Sequence, residues 1–108
     1  MTSEPLEYLD LAASIEDPNA TIVLAGDIDL GTIDRVTGIA HGLLAAGAST
    51  IVLDVADVRF MDSTGLTLLA ELSQRTQARD GKVIVRKPND TVMRLLEVSG
   101  LVDVVSVA

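Results

Sequence analysis

The chain has 108 residues, a formal net charge of −8 and an apolar share of 48%, enough for one folded core spanning residues 1–108 and too little for two. Its acidic excess would repel nucleic-acid phosphates and anionic lipid, so neither is expected as a partner and a protein is. The absence of Cys excludes disulfides, thiol switches and Cys-based zinc sites. With one Tyr, one Phe and no Trp, the core must be assembled from Val, Leu, Ile and Ala, which suits close helix-on-sheet packing. No apolar run approaches the roughly 20 residues of a membrane span, and the segment from Met1 to Leu11 carries acids where a secretory signal carries bases. A cytoplasmic chain without membrane insertion is expected.

In chain order, residues 6–15 have scattered apolar positions and read as an edge strand closed by the turn Asp17, Pro18, Asn19. Residues 20–25 form a clearer strand, followed by a loop over 26–31. Ile33, Val36, Ala40, Leu43 and Leu44 then mark one face of a helix that ends near Gly47. Gly38 and Gly42 weaken that helix by about 1 kcal/mol each relative to Ala, so its stability must come from packing. The β-branched, apolar run 50–55 reads as a buried strand.

A helix follows from Ser63 to about Arg79, with Leu66, Leu69, Leu72 and Thr76 at helical spacing and Asp80 and Gly81 as the break. Residues 82–85 are a short strand. Pro88, Asn89 and Asp90 open a third helix with the core face Val92, Leu95, Leu96 and Ser99, ended by Gly100, and residues 102–107 close the sheet. The alternation predicts an α/β domain with a mostly parallel sheet of four to five strands, an N-terminal strand added at the edge, and about three packed helices.

In such a sheet the loops after the carboxyl ends of the strands gather along one edge, where sites form. Two acidic loops, 26–29 and 57–65, are expected to meet there and bring Asp27, Asp29 and Asp62 near Ser63. Ser63 sits where a strand gives way to a helix start, at or beside the N-cap. Free backbone N–H groups and the positive end of the macrodipole would stabilise a phosphate added to its hydroxyl.

The segments Leu24, Ala25, Gly26, Asp27, Ile28, Asp29; Ile51, Val52, Leu53, Asp54; Phe60, Met61, Asp62, Ser63, Thr64, Gly65, Leu66; and Val98, Ser99, Gly100, Leu101, in that order, resemble the STAS family, the domain shared by sulfate transporters and bacterial anti-sigma factor antagonists. The resemblance covers nearly the whole chain. It implies a regulatory binding module that is not an enzyme and uses no cofactor or metal. In stand-alone antagonists of this family the serine at the position of Ser63 is phosphorylated by a partner that is both anti-sigma factor and kinase. The unmodified antagonist binds that partner and frees the sigma factor, and a protein phosphatase resets the modified one. On the resemblance, Ser63 is the phosphoacceptor, and Asp27, Asp29, Asp62, Thr64 and Gly65 belong to the partner-binding surface. Thr64 stands where some members have a second Ser, a departure that adds a second hydroxyl. The same resemblance allows a STAS regulatory subunit of a membrane transporter, such as a lipid-transport ATPase complex.

Other readings of these residues are structural. On the strand–helix junction alone Ser63 reads as a plain cap, and the full-length resemblance reverses that weighting. Asp54 and Asp57 read as strand-end acids, His41 as an exposed residue on the polar side of the first helix, and Arg86 and Lys87 as salt-bridging or solvated charge. His41 is the only His, and the register of the first helix argues against its reaching Ser63 to build a serine triad. A phosphoaspartate receiver with Asp54 as acceptor would need five helices where the pattern offers three.

Overall fold

The β-branched runs and the 3.6-residue apolar stripes sort into five strands and three helices in a computed structural model of the chain, which describes residues 9–108. They are β1 (Leu9–Glu16), β2 (Asn19–Ile28), α1 (Ile33–Ala45), β3 (Thr50–Met61), α2 (Ser63–Gln77), β4 (Val83–Arg86), α3 (Asp90–Ser99) and β5 (Ser106–Val107), with a short 3₁₀ turn at Leu101–Asp103. One sheet takes the strands in sequence order. β1 pairs antiparallel to β2, and every later pairing is parallel. The sheet is therefore mixed, mostly parallel with the N-terminal strand at its edge, as expected. Residues 6–8 of the predicted edge strand lie outside the described residues.

Two strands are longer than their sequence pattern suggests. β2 runs on through Gly26 and Asp27 to Ile28, where a loop was expected, and β3 continues from Val55 to Met61. The reason is a pair of register shifts, between Val23 and Ala25 and between Gly26 and Asp27. Each inserts extra β3 residues opposite β2 and breaks the period-2 alternation by which a strand is recognised. At the first, Asp54 Oδ1 accepts from Ala56 N–H at 3.1 Å; at the second, Gly26 takes a φ of 116° that favours glycine.

One sheet face carries Leu24, Ile28, Leu53, Val55, Met61 and Val85, and it meets Val36 of α1 and Leu68 and Leu69 of α2 around a void of only about 10 Å³. Both helices thus pack on the same face. Val36, Ala40 and Leu44 are the buried stripe of α1, as its spacing predicts. The carboxyl end of α1 is tied to the turn after α2 by Arg79, whose guanidinium donates to the carbonyls of Leu44 (2.5 Å) and Ala48 (2.9 Å). A cation there also complements the negative end of the helix dipole.

α3 begins as read. Asn89 is its N-cap, accepting from Val92 N–H at 2.9 Å while its amide donates to the Val58 carbonyl at 2.7 Å, which fastens α3 to β3. Val92 and Leu96 are buried, but Ser99 is exposed rather than part of the core face; its hydroxyl donates to the Leu96 carbonyl and accepts from Leu101 N–H. Local hydrogen bonding at a helix end suits a serine better than burial. The last predicted strand shortens to Ser106–Val107, because Gly100 in the left-handed region starts a 3₁₀ turn in which Val104 and Val105 both donate to the Leu101 carbonyl. Among the described residues no helix is long and apolar enough to cross a membrane.

His41 departs from its reading as an exposed residue. It is half-buried, its Nε2 lying 2.6 Å from Glu71 Oε1, which links α1 to α2. Arg86 pairs with Asp54 across β3 and β4 at 3.9 Å.

Candidate functional site

β2 and β3 are parallel neighbours whose carboxyl ends stop together, with Asp27 opposite Phe60 and Ile28 opposite Met61. The two loops that follow are therefore adjacent although about 30 residues separate them in sequence. Backbone bonding joins them first: Asp62 N–H donates to the Ile28 carbonyl at 3.0 Å.

Asp62 is the N-cap of α2, in extended backbone (φ −106°, ψ −171°). Its Oδ1 accepts from the backbone N–H of Thr64 at 2.8 Å and also from the Thr64 hydroxyl. Its Oδ2 accepts from Leu30 N–H at 3.2 Å, reaching across to the β2–α1 loop. One carboxylate thus caps a helix and fixes a neighbouring loop. These bonds, the Thr64 hydroxyl foremost, hold the Asp62 carboxyl below the usual aspartate range against an opposing push from burial; the N–H groups of Thr64, Leu30 and Gly65 add to the lowering.

The linkage sign follows from that direction. A carboxyl whose folded pKa is depressed adds stability that is complete above its unfolded pKa, near 3.9, and fades as pH falls through the folded value. Replacing Asp62 by Ala should cost about 1 kcal/mol at neutral pH, the usual worth of an N-cap. Urea unfolding at pH 6 and again below pH 3 should show that gap shrinking in acid; a gap that is the same at both would mean the charge is irrelevant to the cap.

Ser63 follows as the first residue of α2, beside the cap rather than on it, and it is exposed. Among the described residues its hydroxyl has no hydrogen-bond partner, whereas that of Thr64 is engaged by Asp62 and that of Thr67 donates to the Ser63 carbonyl at 3.0 Å. Gly65 is buried, and a Cβ there would stand 2.7 Å from Met61 Cγ and 3.1 Å from Ile28 Cγ2. Its lack of a side chain lets the first turn of α2 settle onto the ends of β2 and β3.

The other acidic loop is built mainly by itself. Asp29 Oδ1 accepts from Gly31 N–H at 3.0 Å, and its carbonyl accepts from Thr32 and Ile33, a turn that leads into α1. The buried Thr32 hydroxyl donates to the Asp27 carbonyl at 2.8 Å and accepts from Asp29 N–H at 3.0 Å. Asp27 itself turns to Arg59 at 3.4 Å. The structure brings Asp27, Asp29, Asp62, Ser63, Thr64 and Gly65 to one edge.

Thr32, Arg59 and Leu30 were not singled out from sequence. A Thr just before an apolar helical stripe is a legible start signal, but the pairing of Arg59 with Asp27 depends on the register shift, which no spacing reveals. Leu30 is 77% exposed and Phe60 50% exposed, so the edge carries apolar side chains among its carboxylates. Among the described residues no three His, Asp or Glu side chains converge as a metal cage would require.

A family model for the STAS domain matches residues 11–108. The chain belongs to the STAS family. The anti-sigma-B factor antagonist of Staphylococcus aureus (strain NCTC 8325 / PS 47) is 24% identical to it over 99 residues, covering 92% of each chain. The structure of the anti-sigma factor antagonist SpoIIAA in its unphosphorylated form superposes with a TM-score of 0.81 at 22% identity, covering 92% of this STAS chain and 88% of the other. The Bacillus cell fate determinant SpoIIAA in its phosphorylated form gives 0.74 at 21% identity, covering 92% and 91%. At these identities the structural likeness speaks for the fold, which is the single five-stranded, three-helix STAS arrangement.

Proposed function

We propose that this STAS domain is an anti-sigma factor antagonist, a binding module rather than an enzyme, whose partner is an anti-sigma factor with serine kinase activity. Unmodified, it occupies that partner and the sigma factor is released. Phosphorylation of Ser63 by the partner ends the association, and a protein phosphatase restores it. The observation that carries this reading is the exposed, unengaged Ser63 hydroxyl at the first turn of α2, on the edge where Asp62 ties two acidic loops together. The names of its relatives support the antagonist role, and one of them has been characterised in a phosphorylated form.

On this reading no catalytic group is needed in this chain. ATP, Mg²⁺ and the base belong to the kinase. What the chain supplies is an accessible oxygen with no bond to break and a helix start that tolerates the added phosphate. The phosphate adds about −1.5 to −2 charges next to the Asp62 carboxylate, in a surface that must meet its partner closely.

Reconstitution tests this directly. Added to a preformed complex of a candidate anti-sigma factor with its sigma factor, the unmodified chain should displace the sigma factor, and the chain pretreated with kinase and ATP should not. A chain that displaces nothing in either state, but co-purifies from cells with a transporter ATPase and an unmodified Ser63, would instead point to a transporter regulatory subunit.

A further inference from the structure

Two hydroxyls stand side by side at the start of α2, and the structure treats them differently. Thr64 is half-buried against a groove between α1 and α2 that it lines with Ile33, Thr37, Thr67, Leu68 and Glu71. Its Oγ1 proton is given to Asp62 Oδ1, and its backbone N–H goes to the same oxygen. Ser63 is exposed, with its hydroxyl unbonded among the described residues. We propose that Asp62 decides which of the two hydroxyls is modified: by holding the Thr64 hydroxyl in the cap it withholds that oxygen from a kinase and leaves Ser63 as the acceptor. This rests on the phosphorylation reading above and adds to it a residue that sets acceptor choice.

The chemistry makes the difference concrete. In phosphoryl transfer the acceptor oxygen bonds to the γ-phosphorus of ATP, the bond from that phosphorus to the bridging oxygen breaks, ADP departs, and the hydroxyl proton passes to the kinase's own base. On Ser63 no existing bond opposes this. On Thr64 the proton must first leave Asp62, the capping oxygen loses one of its donors, and the product places a phosphate dianion against a carboxylate that is ionised at neutral pH. Asp62 Oδ1 accepts from both the Thr64 N–H and the Thr64 hydroxyl, so modification of Thr64 costs the cap one of its two bonds to that oxygen.

The test is a phosphosite map with purified anti-sigma factor serine kinase, ATP and Mg²⁺, on the wild-type chain and on Ser63→Ala, Asp62→Ala with Ser63→Ala, and Asp62→Asn with Ser63→Ala. The wild type should carry its phosphate on Ser63 and Ser63→Ala should stay unmodified. The double variant with Asp62→Ala should gain phosphate on Thr64 at a rate about tenfold or more above Ser63→Ala, the worth of one lost hydrogen bond to a charged group. The Asn version keeps a carbonyl acceptor for the cap without its charge and should fall between Ser63→Ala and the Asp62→Ala double variant, which controls for loss of helix structure. Ready labelling of Thr64 in Ser63→Ala, or no gain at saturating kinase in an Asp62→Ala double variant that is still folded by circular dichroism, overturns the role of Asp62 while leaving the phosphoswitch standing. A wild-type chain that accepts phosphate from no such kinase sinks the switch and this inference together.

Discussion

Ser63→Glu is expected to weaken binding to the anti-sigma factor by about 100-fold, while Ser63→Ala keeps the wild-type affinity and loses phosphate incorporation. The size follows from the surroundings. A carboxylate at residue 63 would stand next to Asp62 in a surface that also presents Leu30 and Phe60, and like charge pressed into an interface costs several kcal/mol. About 2.7 kcal/mol already gives 100-fold. The fold itself should not suffer, because an acid in the first turn of a helix is favoured by the dipole, so thermal unfolding of the two variants should match the wild type. Isothermal titration against the unmodified, Ala, Glu and phosphorylated forms provides the check. Equal affinity across the four would remove Ser63 from the partner's footprint. The phosphorylated form should be the weakest, since it adds more charge and bulk than a carboxylate.

Gly81→Ala is expected to destabilise the domain by about 3 kcal/mol, in the range of severe overpacking. A Cβ at this position would fall 1.7 Å from the Ser49 carbonyl oxygen and 2.4 Å from its carbon, and neither belongs to a side chain that can swing away. The surrounding backbone is fixed on both sides: Gly81 N–H donates to the Thr76 carbonyl at 2.8 Å, Lys82 N–H to Thr50 Oγ1 at 3.2 Å, and the N–H groups of Ser49 and Thr50 both reach the Pro18 carbonyl. Gly38 and Gly42 offer the contrast. Each lies in α1 with nothing within 4 Å of an added Cβ, so Ala there should stabilise by about 0.5–1 kcal/mol through helix propensity and a less flexible unfolded chain. Denaturant midpoints for the three variants separate the cases; a Gly81→Ala protein as stable as wild type would mean the turn after α2 can move off the start of β3.

The apolar stripes of α1 and α3 and the caps at Asn89 and Gly100 were legible because each is a local rule. A 3.6-residue period or a side chain bonding three residues ahead needs no knowledge of the rest of the chain. The expectation that the loops after two parallel strands adjoin, which placed Asp27, Asp29 and Asp62 near Ser63, came instead from a topology rule for parallel sheets. The extents of β2 and β3 were not legible, because bulges in β3 around Ala56 and Arg59 break the alternation and are defined by the partner strand rather than by the strand itself. His41 was misread for a related reason: its partner, Glu71, lies 30 residues away on another helix.

At the turn after α2 the sequence marks a break with Asp80 and Gly81, yet it is Asp80 that takes the left-handed conformation, at φ 60°, while Gly81 is required by the carbonyl of Ser49 beside it. Composition, periodicity and turn chemistry by themselves determined a single acidic α/β domain with a serine at a strand-to-helix junction. Only the tertiary structure decided that Asp62, and not Ser63, is the cap, and that the same carboxylate holds Thr64 and Leu30. Which of several adjacent polar side chains is consumed by a cap and which is left to meet a partner depends on donors brought in by another loop, and those donors are placed by strand pairing across the sheet.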